Sequence, residues 1–146
     1  MKILSLDFAE NNFIPRKFTC DGENINPNLK IEGVVENTKG LVLIMDDPDA
    51  PSGTFVHWLM WNISPQMTKI LENQLPAGVM QGTNSGGKVS YMGPCPASGA
   101  HHYVFKLYAL DNTLDLPPES KKADLESAMQ GHIIESAQLI GLYERQ

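Results

Sequence analysis

Leu41-Val42-Leu43-Ile44-Met45, Asp46-Asp47-Pro48-Asp49-Ala50-Pro51-Ser52-Gly53-Thr54 and Phe55-Val56-His57-Trp58-Leu59-Met60-Trp61-Asn62-Ile63 follow one another without a break. The first block is short and continuously apolar between turn residues, and reads as a strand buried on both faces. The last is rich in aromatic and β-prone residues and reads as a second strand. The middle block puts three carboxylates, two prolines and a glycine into one turn. A connection this short fits an antiparallel pair and not a parallel crossover. Asp47 then lies just past the end of the first strand and His57 near the start of the second, at one end of the sheet. Alternation predicts that His57 shares a face with Phe55, Leu59 and Trp61, and that Trp58 and Trp61 enter the core on opposite faces. Charge set between two buried strands points to a small polar pocket, with this turn and its histidine as one wall.

The flanking chain offers the other walls. Residues 1–19 read as short strands and turns broken by Asn11-Asn12 and Pro15. Thr19-Cys20-Asp21-Gly22-Glu23-Asn24-Ile25-Asn26-Pro27 is a polar loop with two turn dipeptides, Asp-Gly and Asn-Pro. Residues 64–100 hold six glycines and several prolines and no convincing long element, a pattern that is usually functional or disordered. Their apolar and aromatic content argues against disorder. His101–Leu110 is the clearest strand, with His101, Tyr103, Phe105, Leu107 and Ala109 on one face and His102 on the other. A helix is predicted from near Ser120 to a stop at Gly131, and a last strand over 136–143.

If the strand opened by His101 starts at the same end of the sheet, then Asp47, Asp49, His57, His101 and Tyr103 converge. The loop Gly93-Pro94-Cys95-Pro96 would cover the mouth, its glycine letting backbone N–H groups approach a ligand. Imidazole, phenol and backbone donors suit phosphate, sulfate or carboxylate oxygens. The aspartates would fix the imidazole tautomers and favour the imidazolium near neutral pH. On spacing alone, turn-forming aspartates and packed core histidines remain the ordinary alternatives.

The 146-residue chain is 42% hydrophobic, 8% aromatic and 19% charged, which describes one domain over residues 1–146 with a real core. Its net charge of −6 disfavours broad nucleic-acid or anionic-membrane surfaces. No apolar run approaches ~18 residues, so no membrane span is expected. The start, Met1-Lys2-Ile3-Leu4-Ser5-Leu6-Asp7, lacks a long apolar region, so no signal peptide is expected and the cytoplasm is the expected location. Cys20 and Cys95 are accordingly expected as reduced thiols, with a bridge between two loops as the alternative. They do not make a zinc site by themselves, and no metal or cofactor is expected.

Six pieces resemble the phosphatidylethanolamine-binding protein family, which includes the Raf kinase inhibitor proteins. They are Cys20–Asn24, Asp47–Pro51, Gly53 through Trp58, Tyr91–Pro96, Gly99–Tyr103 and Ala128–His132, in that order along most of the chain. The likeness is nearest to the shorter bacterial and archaeal branch. It implies a mostly β fold with a large central antiparallel sheet, a smaller second sheet and one or two short helices. It implies a pocket for phosphate-like anions lined by Asp47, Asp49, His57, His101 and Tyr103, with Gly93, Pro94, Cys95 and Pro96 in the covering loop. It also makes Pro48 and Pro51 candidates for cis peptide bonds, and suggests a homodimer.

The functional expectation is a protein that binds a small anion, phosphate or a phosphoryl headgroup, with a regulatory or inhibitory role and without catalysis. No nucleophile is seen beside an activating base, and Cys95 is held between two prolines. The alternative is an inhibitor of a protease or other hydrolase acting through the exposed segment 64–100. A metal-assisted hydrolase, using two histidines and a carboxylate, is the third reading.

Overall fold

The structure, a computed structural model, describes residues 1–145. Its elements run β1 (Lys2–Ser5), β2 (Leu29–Glu32), β3 (Gly40–Asp47), β4 (Phe55–Ile63), β5 (Lys69–Ile70), β6 (Met80–Gln81), β7 (His101–Leu110), α1 (Lys122–Met129) and β8 (Ile133–Tyr143). A five-stranded sheet has the order β6-β4-β3-β7-β8 and a three-stranded sheet the order β1-β2-β5. All of these pairings are antiparallel. The mostly β fold, its two sheets of unequal size and its helix near the C-terminal end agree with expectation. β4 and β7 occupy the predicted residues.

β3 lies at the centre of the larger sheet, and each of its residues is buried. Leu41, Leu43 and Met45 point to one side, where they pack with Ile3, Ile31, Trp58, Phe105 and Leu107 against the small sheet. Val42 and Ile44 point to the other, where Leu59, Trp61, Leu125 and Met129 form a second core under α1. The unbroken apolar run of β3 follows from this, because a strand covered on both faces has no solvent side. Each fully buried Leu or Ile contributes about 1.5–3 kcal/mol over its exposed state.

One expectation about β4 is corrected. Met45 pairs with Trp58 and Asp46 with Val56, so one step on β3 spans two on β4. His57 is the extra residue of a β-bulge, and a bulge resets the alternation. His57 and Phe55 therefore face the same side as Trp58 and Met60, away from Leu59 and Trp61. Trp58 and Trp61 do fill opposite cores. A second register shift, between the Leu43–Met60 and Leu41–Ile63 pairs, puts Ile63 on the Met60 side, so beyond the first bulge the period of two holds only from Trp58 to Trp61.

The turn between β3 and β4 contains no cis bond, nor does any other described residue, so Pro48 and Pro51 follow trans peptides. The reversal is made otherwise. Asp47 Oδ1 accepts the Asp49 N–H at 2.8 Å, the Gly53 N–H reaches the Ala50 carbonyl at 3.2 Å, and Gly53 has φ +103°. Helix α1 opens with the Asp124 carboxylate accepting the Lys121 N–H at 2.9 Å, and Gly131 turns the chain beyond it with φ +83°.

Candidate functional site

The three carboxylates of the β3–β4 turn go three ways. Asp46 is fully buried on the helix side, where Lys106 Nζ and Lys122 Nζ each approach its Oδ2 at 3.0 Å, so it ties α1 to the sheet. Asp47, one residue on, points to the opposite side and receives the His101 Nδ1–H at 2.6 Å. Asp49 stays at the surface, where its Oδ2 accepts both the backbone N–H and the Nδ1–H of His102 at 2.7 and 2.6 Å. Those bonds hold the Asp49 carboxyl below the usual range.

Behind Asp47 lies a cavity of about 430 Å³, within the range of about 300–1,000 Å³ usual for small-molecule sites. The antiparallel pairing of β3 with β4 and β7 brings His57 and His101 to one end of the sheet. Both are buried, and the Tyr103 ring meets both of them. It stands edge-on to His57 with centroids 5.3 Å apart and stacks on His101 at 6.4 Å. Phe55, at 4.8 Å from the His57 ring, Ala50, Pro51, Met92 and Ala97 supply apolar walls. Asp47, His57, Gly93, Cys95, Pro96, His101 and Tyr103 all line the cavity as expected.

Asp49 and Pro94 do not. Asp49 belongs to the exposed pair with His102, and the Pro94 carbonyl accepts the Cys20 N–H at 3.1 Å. Asn24, Phe55 and Met92 were not among the expected lining residues. Phe55 was legible as a face-mate of His57. Asn24 and Met92 sit in loops whose meeting only the tertiary structure reveals.

The covering loop works differently from expectation. The Gly93 N–H donates to Asn24 Oδ1 at 2.8 Å and the Met92 N–H to the His57 carbonyl at 3.1 Å, so neither faces a ligand. Gly93 is needed because the loop presses against the Phe18–Thr19 backbone, with no room for a Cβ. Cys20 and Cys95 are joined by a disulfide with Cα atoms 5.5 Å apart, which corrects the expectation of free thiols. The fold seats both cysteines at the cavity mouth, although 75 residues separate them.

Each imidazole is held by Nδ1. A carbonyl or carboxylate oxygen only accepts, so Nδ1 carries the proton in both rings. For His101 the acceptor is Asp47. For His57 it is the Met92 carbonyl at 2.6 Å, not an aspartate. Nε2 is therefore the nitrogen each ring offers to a ligand. Burial pushes the His57 pKa down, which overturns the expected imidazolium at that position near neutral pH. Both Asp47 oxygens are engaged, Oδ1 by Asp49 N–H and Oδ2 by His101.

The Tyr103 hydroxyl is buried and, although the Cys95 backbone lies nearby, meets no partner in hydrogen-bond geometry. Burial, reinforced by the Asp47 charge, pushes its pKa upward, so it remains a neutral O–H. An unpaired buried hydroxyl costs about 1–3 kcal/mol. Tyr103→Phe is therefore expected to unfold at the same temperature as the parent or higher in ligand-free thermal melts. Among the described residues, no three His, Cys, Asp or Glu side chains are grouped to hold a metal ion.

Comparison with known proteins places the chain in a family. The profile of the phosphatidylethanolamine-binding protein family matches residues 4–144. A UPF0098 protein of Pyrococcus horikoshii is 51% identical, with 99% of this chain and 77% of that protein covered. A UPF0098 protein of Methanothermobacter thermautotrophicus is 49% identical, with 99% of each chain covered. The crystal structure of a putative phosphatidylethanolamine-binding protein homologue from Chlamydia trachomatis superposes with TM-score 0.96 at 37% identity, covering 99% of this chain and 97% of that one. YbcL of E. coli, described as a member of the mammalian family, superposes with TM-score 0.92 at 28% identity over 99% and 98% of the two chains. The chain belongs to the phosphatidylethanolamine-binding protein family. No described helix is long and apolar enough to cross a membrane.

Proposed function

We propose that the cavity binds a phosphate-like anion or phosphoryl headgroup, without catalysis, in a regulatory or inhibitory protein. The observation that carries this reading is the Tyr103 hydroxyl, buried and unpartnered between two imidazoles whose Nε2 atoms are left for a ligand. A phosphate oxygen would accept from the Tyr103 O–H, and His101 Nε2, in the tautomer with its proton on Nδ1, would accept from a protonated phosphate oxygen. Neutral His57 presents a lone pair at Nε2, which accepts from a protonated phosphate oxygen. Once protonated, the ring donates instead, and its charge strengthens the bond.

The sign of the pH dependence follows. Folded His57 gives up its proton more readily than the unfolded chain, whose histidines titrate near pH ~6.5. Below that pH the unfolded state binds more protons at this position, so His57 makes ligand-free stability fall on acidification. Anion binding favours the protonated ring and opposes that fall. Calorimetric titration with inorganic phosphate should give tighter binding at pH 6 than at pH 8, and His57→Gln should flatten the difference. Equal affinity at both pH values, or no heat at millimolar phosphate, contradicts this reading.

A second reading, inhibition of a hydrolase, draws on Leu71 and Leu75, which are 47% and 51% exposed in the irregular segment 64–100. Inhibition of a test protease that is lost on Leu71→Ser/Leu75→Ser and kept on His57→Ala would support it. Inhibition that survives the serine substitutions would remove it.

A further inference from the structure

The bulge at His57 has a second effect beyond orienting that ring. It places His57 and Trp58, consecutive in sequence, on the same side of β4. Each lines its own cavity. Next to the anion pocket runs a groove of about 330 Å³ lined by Trp58, Tyr91, Asn24, Asn73, Gln74 and Ser90, among others. The two cavities share Asn24. The chain also crosses from one to the other within Tyr91-Met92-Gly93.

The chemistry of the groove is narrow. None of its lining side chains is charged. Its polar groups are carboxamides and a hydroxyl, which both donate and accept. Asn24 Oδ1 is occupied by the Gly93 N–H, which leaves its N–H₂ for a ligand at the junction. Trp58 Nε1 donates to Gln81 Oε1 at 2.8 Å, fixing the indole and the Gln81 amide in place. Tyr91 donates its hydroxyl to the Phe18 carbonyl at 2.7 Å and packs edge-on against the buried Trp58, so the half-buried Tyr91 ring is the rigid aromatic wall of the groove. Asn73, Gln74 and Ser90 are exposed along the rim. Hydroxyl groups match such a lining, because each both donates and accepts. The C–H faces of a sugar ring or polyol suit the aromatic wall. An ammonium would find no carboxylate there, and a second phosphate no lysine or arginine.

We propose that the pocket and the groove form one composite site for a phosphomonoester whose remainder is uncharged and polyhydroxylated, a sugar or polyol phosphate. This rests on the anion reading and extends it to the rest of the ligand. The phosphoryl group sits over His57, His101 and Tyr103, and the hydroxylated body lies along Tyr91 between Asn24 and Gln74.

Isothermal titration of the full chain with inorganic phosphate, glucose 6-phosphate and phosphoethanolamine tests it. Glucose 6-phosphate is expected to bind about tenfold more tightly than phosphate, the worth of one or two net hydrogen bonds, and phosphoethanolamine no more tightly than phosphate. Gln74→Ala/Ser90→Ala, both at exposed rim positions, should bring glucose 6-phosphate down to the phosphate value and leave inorganic phosphate unchanged. Phosphate binding with no gain from the sugar, a tighter phosphoethanolamine, or an unaffected double variant overturns the composite site and leaves the anion pocket standing. Absence of binding by all three probes overturns both.

Discussion

Replacing Cys20 and Cys95 together by serine is expected to lower the unfolding free energy by about 4 kcal/mol while leaving the cavity around His57 and His101 in place. The bridge closes a loop between residues 75 apart, and loop-closure entropy of that length is worth about 4 kcal/mol when removed from the unfolded chain. The native contact does not depend on the bridge alone. The Cys20 N–H to Pro94, the Gly93 N–H to Asn24 and the Tyr91 hydroxyl to Phe18 hold the same two loops at 3.1, 2.8 and 2.7 Å. Stability and binding should therefore separate. Urea unfolding should show a midpoint well below that of the parent, and phosphate titration in native buffer an affinity within a few-fold of it. A variant with parental stability would mean that the bridge does not form in solution. A stable variant that no longer binds would mean that the bridge acts as a gate.

Gly93→Ala is expected to do the reverse and strike binding hardest. A Cβ at this position would overlap the Phe18 carbonyl oxygen and stand 2.5 Å from Asn24 Oδ1 and 2.9 Å from the Thr19 Cα. Two of these neighbours are backbone and do not swing aside. The loop must lift away, which costs about 1–3 kcal/mol as overpacking. Lifting it also breaks the Gly93–Asn24 bond and moves the adjacent Met92 carbonyl, the group that fixes the His57 tautomer. Phosphate affinity should fall by on the order of tenfold or more, the worth of at least one hydrogen bond to an anion. The His57 ring resonances should shift in the ligand-free protein. A variant with parental affinity and unchanged His57 resonances would show that the loop does not hold this ring.

Much of this was readable from the residues because the relevant signals are local. The apolar run 41–45 announced a strand covered on both faces, and the short acidic turn required an antiparallel partner. Those two statements already set Asp47 and His57 at one end of the sheet. The clean alternation of 101–110 brought His101 and Tyr103 to the same face. What failed was non-local or sub-periodic. A bulge of one residue at His57 leaves no mark in hydrophobic periodicity, so Leu59 and Trp61 were assigned to the wrong side. The partner of His57 Nδ1 is a backbone carbonyl 35 residues away, which no side-chain pattern encodes. Asp49 looked equivalent to Asp47, yet the turn sends it outward to His102. The Cys20–Cys95 bridge joins loops that only the assembled fold brings together.

In the proposed function the Tyr103 hydroxyl and the two Nε2 atoms act as one anion site. The most direct measurement follows the imidazole nitrogens of His57 and His101 by NMR during inorganic phosphate titration, in the parent and in Tyr103→Phe. In the parent, both Nε2 resonances should move saturably and together, while the Nδ1 resonances, anchored on Met92 and Asp47, move less. In the folded and fully stable variant, saturation should be weakened by on the order of tenfold. Static Nε2 resonances at millimolar phosphate, or identical titrations in the two proteins, would contradict it.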